Sequence, residues 1–326
     1  MRILIRYDVV GWAFWRRAVA YQKYAPGDIH VDIMGDDEHY GLQEENPQRL
    51  QGYDVVWLLS MFQGGRGYGN AVVVRNLSSH TWKYYSQVDD LRTAGVNTSR
   101  NRDVFERELD RCTKYSVQNS ELLRLVASYG ADGFMAPYLI DTDLFRPSER
   151  RRKDGEPMTV GFCGQQTAAF KGGWLLEKLM QRFSCNELRF NINDTDFRGR
   201  LSGQRLRDWY NRQDVFLCLS SDEGGPQPPL EAAACSCLLA GTIVGQLRDW
   251  GDYVSSSTTI GTYRNLDEAE QVVDFLERLL RGYQHPEWLS YLRKDSEFLY
   301  ESVLGNYSAR YRVQDHLRAL CETALS

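Results

Sequence analysis

Apolar positions along the chain cluster in short runs, parted by polar and glycine-bearing stretches or by longer segments with helical spacing. Met1–Val10, Ile29–Met34, Tyr53–Met61, Ala71–Val74, Tyr115–Asn119, Met158–Gly164, Leu188–Ile192, Val215–Leu219 and Leu238–Val244 read as strands. Runs that stay apolar throughout, such as Tyr53–Met61, belong to strands covered on both faces of a parallel sheet. Helical spacing marks a segment from Trp12 to about Tyr24, then 102–113, Ser120–Ser128 capped by Ser120, Gly173–Phe183, Arg205–Asn211, Leu266–Tyr283, Trp288–Leu299 and Tyr307–Leu325. The clearest stripe is Ala269, Val272, Val273, Leu276, Leu279 and Leu280. Strands alternating with helices predict an α/β fold.

Val215–Trp250 organises the rest. It reads as a strand, a polar glycine-rich loop over Ser220–Gln227, a helix introduced by Pro228 and Pro229 and running through Leu230–Cys237, and a second strand. Glu223 lies in the loop. Glu231, eight positions on, is expected in the helix's first turn. A helix N-terminus favours an anion such as a diphosphate. A carboxylate on each side of that pocket suits a ligand with a sugar at each end of a diphosphate. By spacing alone, two bland readings stay open beside this one: Glu231 complements the helix dipole, and Glu223 is a solvated loop acid.

Glu223 and Glu231 with Ala232-Ala233-Ala234-Cys235 resemble the E-x7-E and EAMACG stretch of the GT-B retaining glycosyltransferases of the GT4 family. The resemblance implies two Rossmann-like domains with parallel sheets facing an interdomain cleft. It assigns Glu223 to the donor sugar and Glu231 to the ribose of the nucleotide. Phe134–Pro147 is similar to the signature that closes the family's N-terminal domain, with Asp141, Thr142, Asp143, Phe145 and Pro147 matching and Tyr138-Leu139 departing. Gly164-Gln165 and Lys171-Gly172 are similar to the "vGR…KG" segment, whose arginine and lysine neutralise the donor diphosphate; Gln165 stands near the arginine position. Other departures are Ser236 where the family usually has glycine, Leu238 where it has proline and Pro226 where it often has glycine. Pro226, Pro228 and Pro229 carry no N–H, which leaves Gly224, Gly225, Gln227 and Leu230 as backbone donors.

In the first half, a strand turning through Gly11 into Trp12 and a helix opens a Rossmann-like domain. No GxGxxG is present, so a dinucleotide cofactor has no support. In the family this turn approaches the donor phosphates or the acceptor, and Trp12, Phe14 and Trp15 either stack on a ligand or pack helix on sheet. Gly64–Gly69 is either a mobile acceptor loop or a plain turn. His80 is placed where family members carry a histidine that contacts the donor sugar; an ordinary histidine is the alternative. In the second half, the loop Asn193–Gly199 lies within reach of a nucleobase on the same reading. Asp141-Thr142-Asp143 and Asp194-Thr195-Asp196 have the form of a DxD metal motif, but GT-B enzymes usually need no metal, and no metal is expected.

At 326 residues the chain accommodates two domains. The expected division is residues 1–147 as an acceptor domain, 148–157 as a charged linker, 158–304 as the nucleotide-sugar domain, and 305–326 as a helix crossing back to the first domain. A net charge of −5 is no footprint of a nucleic-acid binder. No apolar stretch is long enough to span a bilayer, and peripheral membrane contact stays open. Seven cysteines without a CxxC pair indicate neither a disulfide framework nor a zinc site, which fits a reducing cytoplasm; Cys163, Cys218 and Cys235 read as core residues.

The function expected from the resemblance is transfer of a sugar from a nucleotide diphosphate sugar, a UDP-sugar first among them, to an acceptor hydroxyl with retention of configuration. The donor is a co-substrate and no cofactor is needed. Lys171, Glu223 and His80 carry the chemistry. The acceptor is a glycan, a lipid-linked molecule or a small molecule. The alternatives are a hydroxymethylated base in DNA as acceptor, or a non-catalytic nucleotide-sugar-binding protein.

Overall fold

Strands β1 (Arg2–Tyr7), β2 (His30–Gly35), β3 (Val55–Leu58), β4 (Val72–Leu77), β5 (Lys114–Val117) and β6 (Asp132–Met135) form one sheet, in the order β2-β1-β3-β4-β5-β6. Strands β7 (Met158–Gly164), β8 (Leu188–Asp194), β9 (Val215–Cys218), β10 (Leu238–Thr242) and β11 (Thr259–Ile260) form a second, ordered β11-β10-β9-β7-β8. Every neighbouring pair runs parallel. The computed structural model describes residues 1–11, 13–36, 50–60, 63, 68–77, 114–148, 156–194, 201–256 and 258–326, with backbone alone at 169, 286 and 289–293. Trp12, His80, the expected helix 102–113, and parts of three expected loops (64–67, 149–155 and 195–199) lie outside the described residues.

The described helices are α1 (Ala13–Lys23), α2 (Ser120–Ser128), α3 (Gly173–Gln181), α4 (Gly203–Tyr210), α5 (Gln227–Ala234), α6 (Gly251–Val254), α7 (Leu266–Tyr283), α8 (Pro286–Tyr307) and α9 (Ala309–Leu325). Among the described residues the chain divides into two compact units. The first runs up to Asp141 and includes Ser308–Ser326; the second is Thr142–Tyr307. The division falls earlier than residue 147 and splits the Asp141–Pro147 motif. Asp141 stays with the first unit, where Lys23 Nζ lies 2.9 Å away and the Tyr24 hydroxyl donates to it at 2.6 Å. Phe145 sits in the second unit against the Tyr210 ring.

In the first unit, alternate β1 side chains serve opposite faces, as the strand period of two requires. Ile3 and Ile5 pack with Val55, Trp57, Tyr21 of α1 and Val313, Leu317 and Leu320 of α9. Leu4 packs on the other face with Val56, Leu58 and Met34. The amide of Ala309 donates to the Ile140 carbonyl at 2.8 Å, which fixes where α9 starts. In the second unit, Val160, Phe162, Val215 and Leu217 meet the apolar stripes of α3 and α7.

One helix start differs from expectation. The cap of α2 is Asn119, whose Oδ1 accepts from the Leu122 amide at 2.9 Å, and Ser120 is the first helical residue. Asparagine and serine cap equally well, and the longer asparagine side chain is the one that reaches the third amide here. Helix α5 starts at Gln227, where the proline pair places it, and ends at Ala234, before the expected Cys237. Proline's fixed φ favours the opening of a helix, so the Pro228-Pro229 pair falls inside its first turn.

Candidate active site

Strand β7 leads to β8 on one side of itself while β9 lies on the other, so the winding of the second sheet reverses between β7 and β9. In open parallel sheets the crevice for a ligand forms at the carboxyl ends of the two strands flanking such a reversal. The segments leaving those strand ends are 165–172 and 219–226. They carry Lys171 and Glu223.

These two side chains form an ion pair, Lys171 Nζ to Glu223 Oε1. Ser220 Oγ donates to the same carboxylate oxygen at 2.9 Å. The Glu223 side chain is 9% exposed and that of Lys171 24%, so the pair is shielded on the carboxylate side and open on the ammonium side. Phe162, Cys163, Leu219, Pro226, Pro228 and Pro229 complete the wall of the pocket around it. Mostly apolar walls with a few convergent polar groups are usual for small-molecule sites.

The two loops are locked by close backbone contact. The Ser221 amide donates to the Phe170 carbonyl at 2.8 Å, and Gly172, with φ of 73°, lies so near Leu219 that a Cβ there would sit 2.3 Å from its carbonyl oxygen. On the far side, Gly245 follows β10 with φ of 53°; a Cβ would meet the Glu223 and Gly224 carbonyl oxygens at 2.4 and 2.5 Å. The next amide, Gln246, donates to the Gly224 carbonyl at 2.9 Å. Thr242 Oγ1 donates to the Ser220 carbonyl at 2.6 Å, Thr262 Oγ1 to that of Ser221 at 2.6 Å, and the Tyr263 hydroxyl to that of Leu219 at 3.0 Å. Burial, with the Glu223 charge added, pushes the Cys218 thiol up to about 11, so it is uncharged beneath the site at neutral pH.

The structure brings Gly164, Gln165, Lys171, Glu223, Gly224 and Gly225 to this strand-end region of the second unit. Asn193, at the end of β8, donates its Nδ2 to Cys163 Sγ at 3.3 Å. Leu230 lies further along, in α5. It is the fourth residue of that helix and fully buried. In the cap and first turn, Pro226-Gln227-Pro228-Pro229, only Gln227 has an N–H. Glu231 stands in the second turn, not the first. It is 2% exposed, and the Tyr210 hydroxyl donates to its Oε2 at 2.8 Å. Gly11, with φ of 80°, makes the β1–α1 turn of the first unit, at that sheet's own reversal between β1 and β3.

Solved structures share this two-unit arrangement of parallel sheets. HepE from Anabaena, in complex with UDP-glucose, matches with a TM-score of 0.66 at 10% identity, over 98% of this chain and 100% of that one. Sucrose-phosphate synthase from Thermosynechococcus elongatus matches with a TM-score of 0.69 at 15% identity, over 98% and 99%. WaaG, a glycosyltransferase involved in lipopolysaccharide biosynthesis, matches with a TM-score of 0.64 at 13% identity, over the full length of both chains. The fold is GT-B. No protein-family model matches the chain, and no curated protein matches it. At these identities the likeness concerns the GT-B fold itself.

Ser220, Tyr210, Thr242, Gly245 and Gln246 were not among the expected site residues. For Ser220 and Gly245 the only sequence signal is a hydroxyl residue or a glycine just past a strand, a pattern shared by most loops; Tyr210, Thr242 and Gln246 carry none.

Proposed function

We propose that the protein is a glycosyltransferase that moves a sugar from a nucleotide diphosphate sugar, of which a UDP-sugar is the first to test, to an acceptor hydroxyl with retention at the anomeric carbon. The observation that carries this reading is the Lys171–Glu223 pair at the β7–β9 reversal of a GT-B sheet. The two charges neutralise each other. A diphosphate draws the Lys171 ammonium to itself, which releases the Glu223 carboxylate to accept hydrogen bonds from the donor sugar's hydroxyls. As the bond from the anomeric carbon to the phosphate oxygen breaks, negative charge builds on that oxygen, and Lys171 with the Gln227 amide stabilises it. The acceptor oxygen bonds to the same face of the anomeric carbon, and its proton passes to the departing phosphate. Glu231 holds the ribose. His80 contacts the donor sugar. No step calls on a metal.

The test is release of nucleoside diphosphate from a panel of nucleotide sugars, with and without glycan, lipid-linked and small hydroxylated acceptors. Turnover in wild type that drops by about 100- to 1000-fold in Glu223→Ala and in Lys171→Ala is expected. Release at one background rate in all three proteins, whatever the acceptor, sinks the reading.

A further inference from the structure

Glu231 is nearly sealed from solvent, and the group holding its Oε2 is the hydroxyl of Tyr210, the fully buried last residue of α4. The Tyr210 ring cannot swing. It meets Trp209, Phe216 and Phe145 edge-on, with centroids 5.1, 5.7 and 6.0 Å away. Phe145 comes from the Thr142–Ser148 stretch, which is itself clamped to the end of α4. Asn211 Nδ2 donates to the Arg146 carbonyl at 3.1 Å, and Asn211 Oδ1 accepts from the Ser148 amide at 2.7 Å. A phenol locked on three sides and aimed at one carboxylate oxygen selects one rotamer of that carboxylate.

We infer that Tyr210 is a positioning residue: it fixes the Glu231 carboxylate for a nucleotide's ribose hydroxyls, braced by the Thr142–Ser148 stretch. The inference rests on the nucleotide-sugar reading. It adds a discrimination that the pair builds in, for ribose over 2′-deoxyribose. A carboxylate set in place meets a vicinal diol with both hydroxyls in reach, whereas a loose one gains little from the second hydroxyl.

Isothermal titration with uridine, adenosine and guanosine diphosphates and their 2′-deoxy forms tests it. Wild type is expected to bind at least one ribonucleotide about tenfold or more tighter than its deoxy form. Tyr210→Phe, which keeps the ring and removes the hydroxyl, is expected to lose about tenfold for the ribonucleotide and little for the deoxy form, so the ratio collapses. Adding Tyr210→Phe to Glu231→Gln is expected to cost nothing further, because both act on one interaction. If Tyr210→Phe does not fold, Asn211→Ala, on the partly exposed clamp, moves the same ratio in the same direction. A purely structural tyrosine weakens both ligands equally, and an unchanged ratio in the folded variants overturns the inference while the nucleotide reading stands. Wild type that binds none of the six overturns both.

Discussion

Lys171 and Glu223 neutralise each other, and removing either one leaves a partly buried charge without its nearest partner. That loss is distinct from packing effects and is read in turnover. Gly245 has a different sensitivity. Its φ of 53° and the two carbonyl oxygens within 2.5 Å of a Cβ position leave no room for a side chain. Gly245→Ala is therefore expected to push the Glu223–Gly224 peptide away and to cost about 1–3 kcal/mol of stability, read as a lower urea midpoint, with a raised KM for donor. In the first unit, His316 Nδ1 lies 2.5 Å from the Tyr21 hydroxyl. Burial first, then the charges of Arg17 and Arg312, pull its pKa down from 6.5 to about 3. Between those two values the unfolded chain binds a proton that the folded one does not. Stability contributed here is full above pH 6.5 and is lost as the pH falls toward 3, by at most about 1.4 kcal/mol per pH unit. Urea midpoints measured from pH 7 down to pH 4 are expected to fall less steeply in His316→Gln.

At the scale of elements, α5 shows a local cost accepted for connectivity. After Cys235 the chain turns at Ser236, the only described non-glycine residue with positive φ, at 58°. The Ser236 amide donates to the Ala233 carbonyl at 2.9 Å and that of Cys237 to the Ala232 carbonyl at 3.0 Å. This is the Schellman closure of a helix, which favours glycine at the residue that turns. Ser236→Gly is expected to stabilise the protein by about 1 kcal/mol, seen as a melting temperature about 1–2 °C higher with unchanged turnover. Two residues on, Leu238 makes a bond of its own. The Leu238 amide donates to the Asp214 carbonyl at 3.1 Å as β10 begins, a bond that proline cannot make. Helix α7 follows its sequence closely, because its stripe is complete and its cap is local: Asn265 Oδ1 accepts from the Glu268 amide at 2.9 Å.

For the molecule as a whole, the candidate donor residues among those described lie in the second unit, Thr142–Tyr307, apart from Gly11. A ligand that binds only the folded form raises stability by about 2.7 kcal/mol at a hundredfold excess over its Kd. For 326 residues unfolding together that corresponds to roughly 4 °C. A thermal-shift screen of nucleotide sugars is expected to show such a rise for one nucleotide series, and Glu231→Gln is expected to reduce it. A flat response across all nucleotides speaks against the proposed function.

The chain's own pattern determined the α/β class, most strands to within two or three residues, the stripe of α7, and the strand–loop–helix–strand frame around Glu223. These depend on periodicity, and periodicity is local. Only the tertiary structure decided which side chains meet. Lys171 and Glu223 are 52 positions apart, and Tyr210 reaches Glu231 across 21. Periodicity carries no mark of either pairing; for Lys171 and Glu223 it is the order of strands in the second sheet that sets β7 beside β9. The place where the motif at 141–147 divides was not legible for the same reason. It is fixed by packing between segments that are remote along the chain, and local propensity is too weak to specify such contacts.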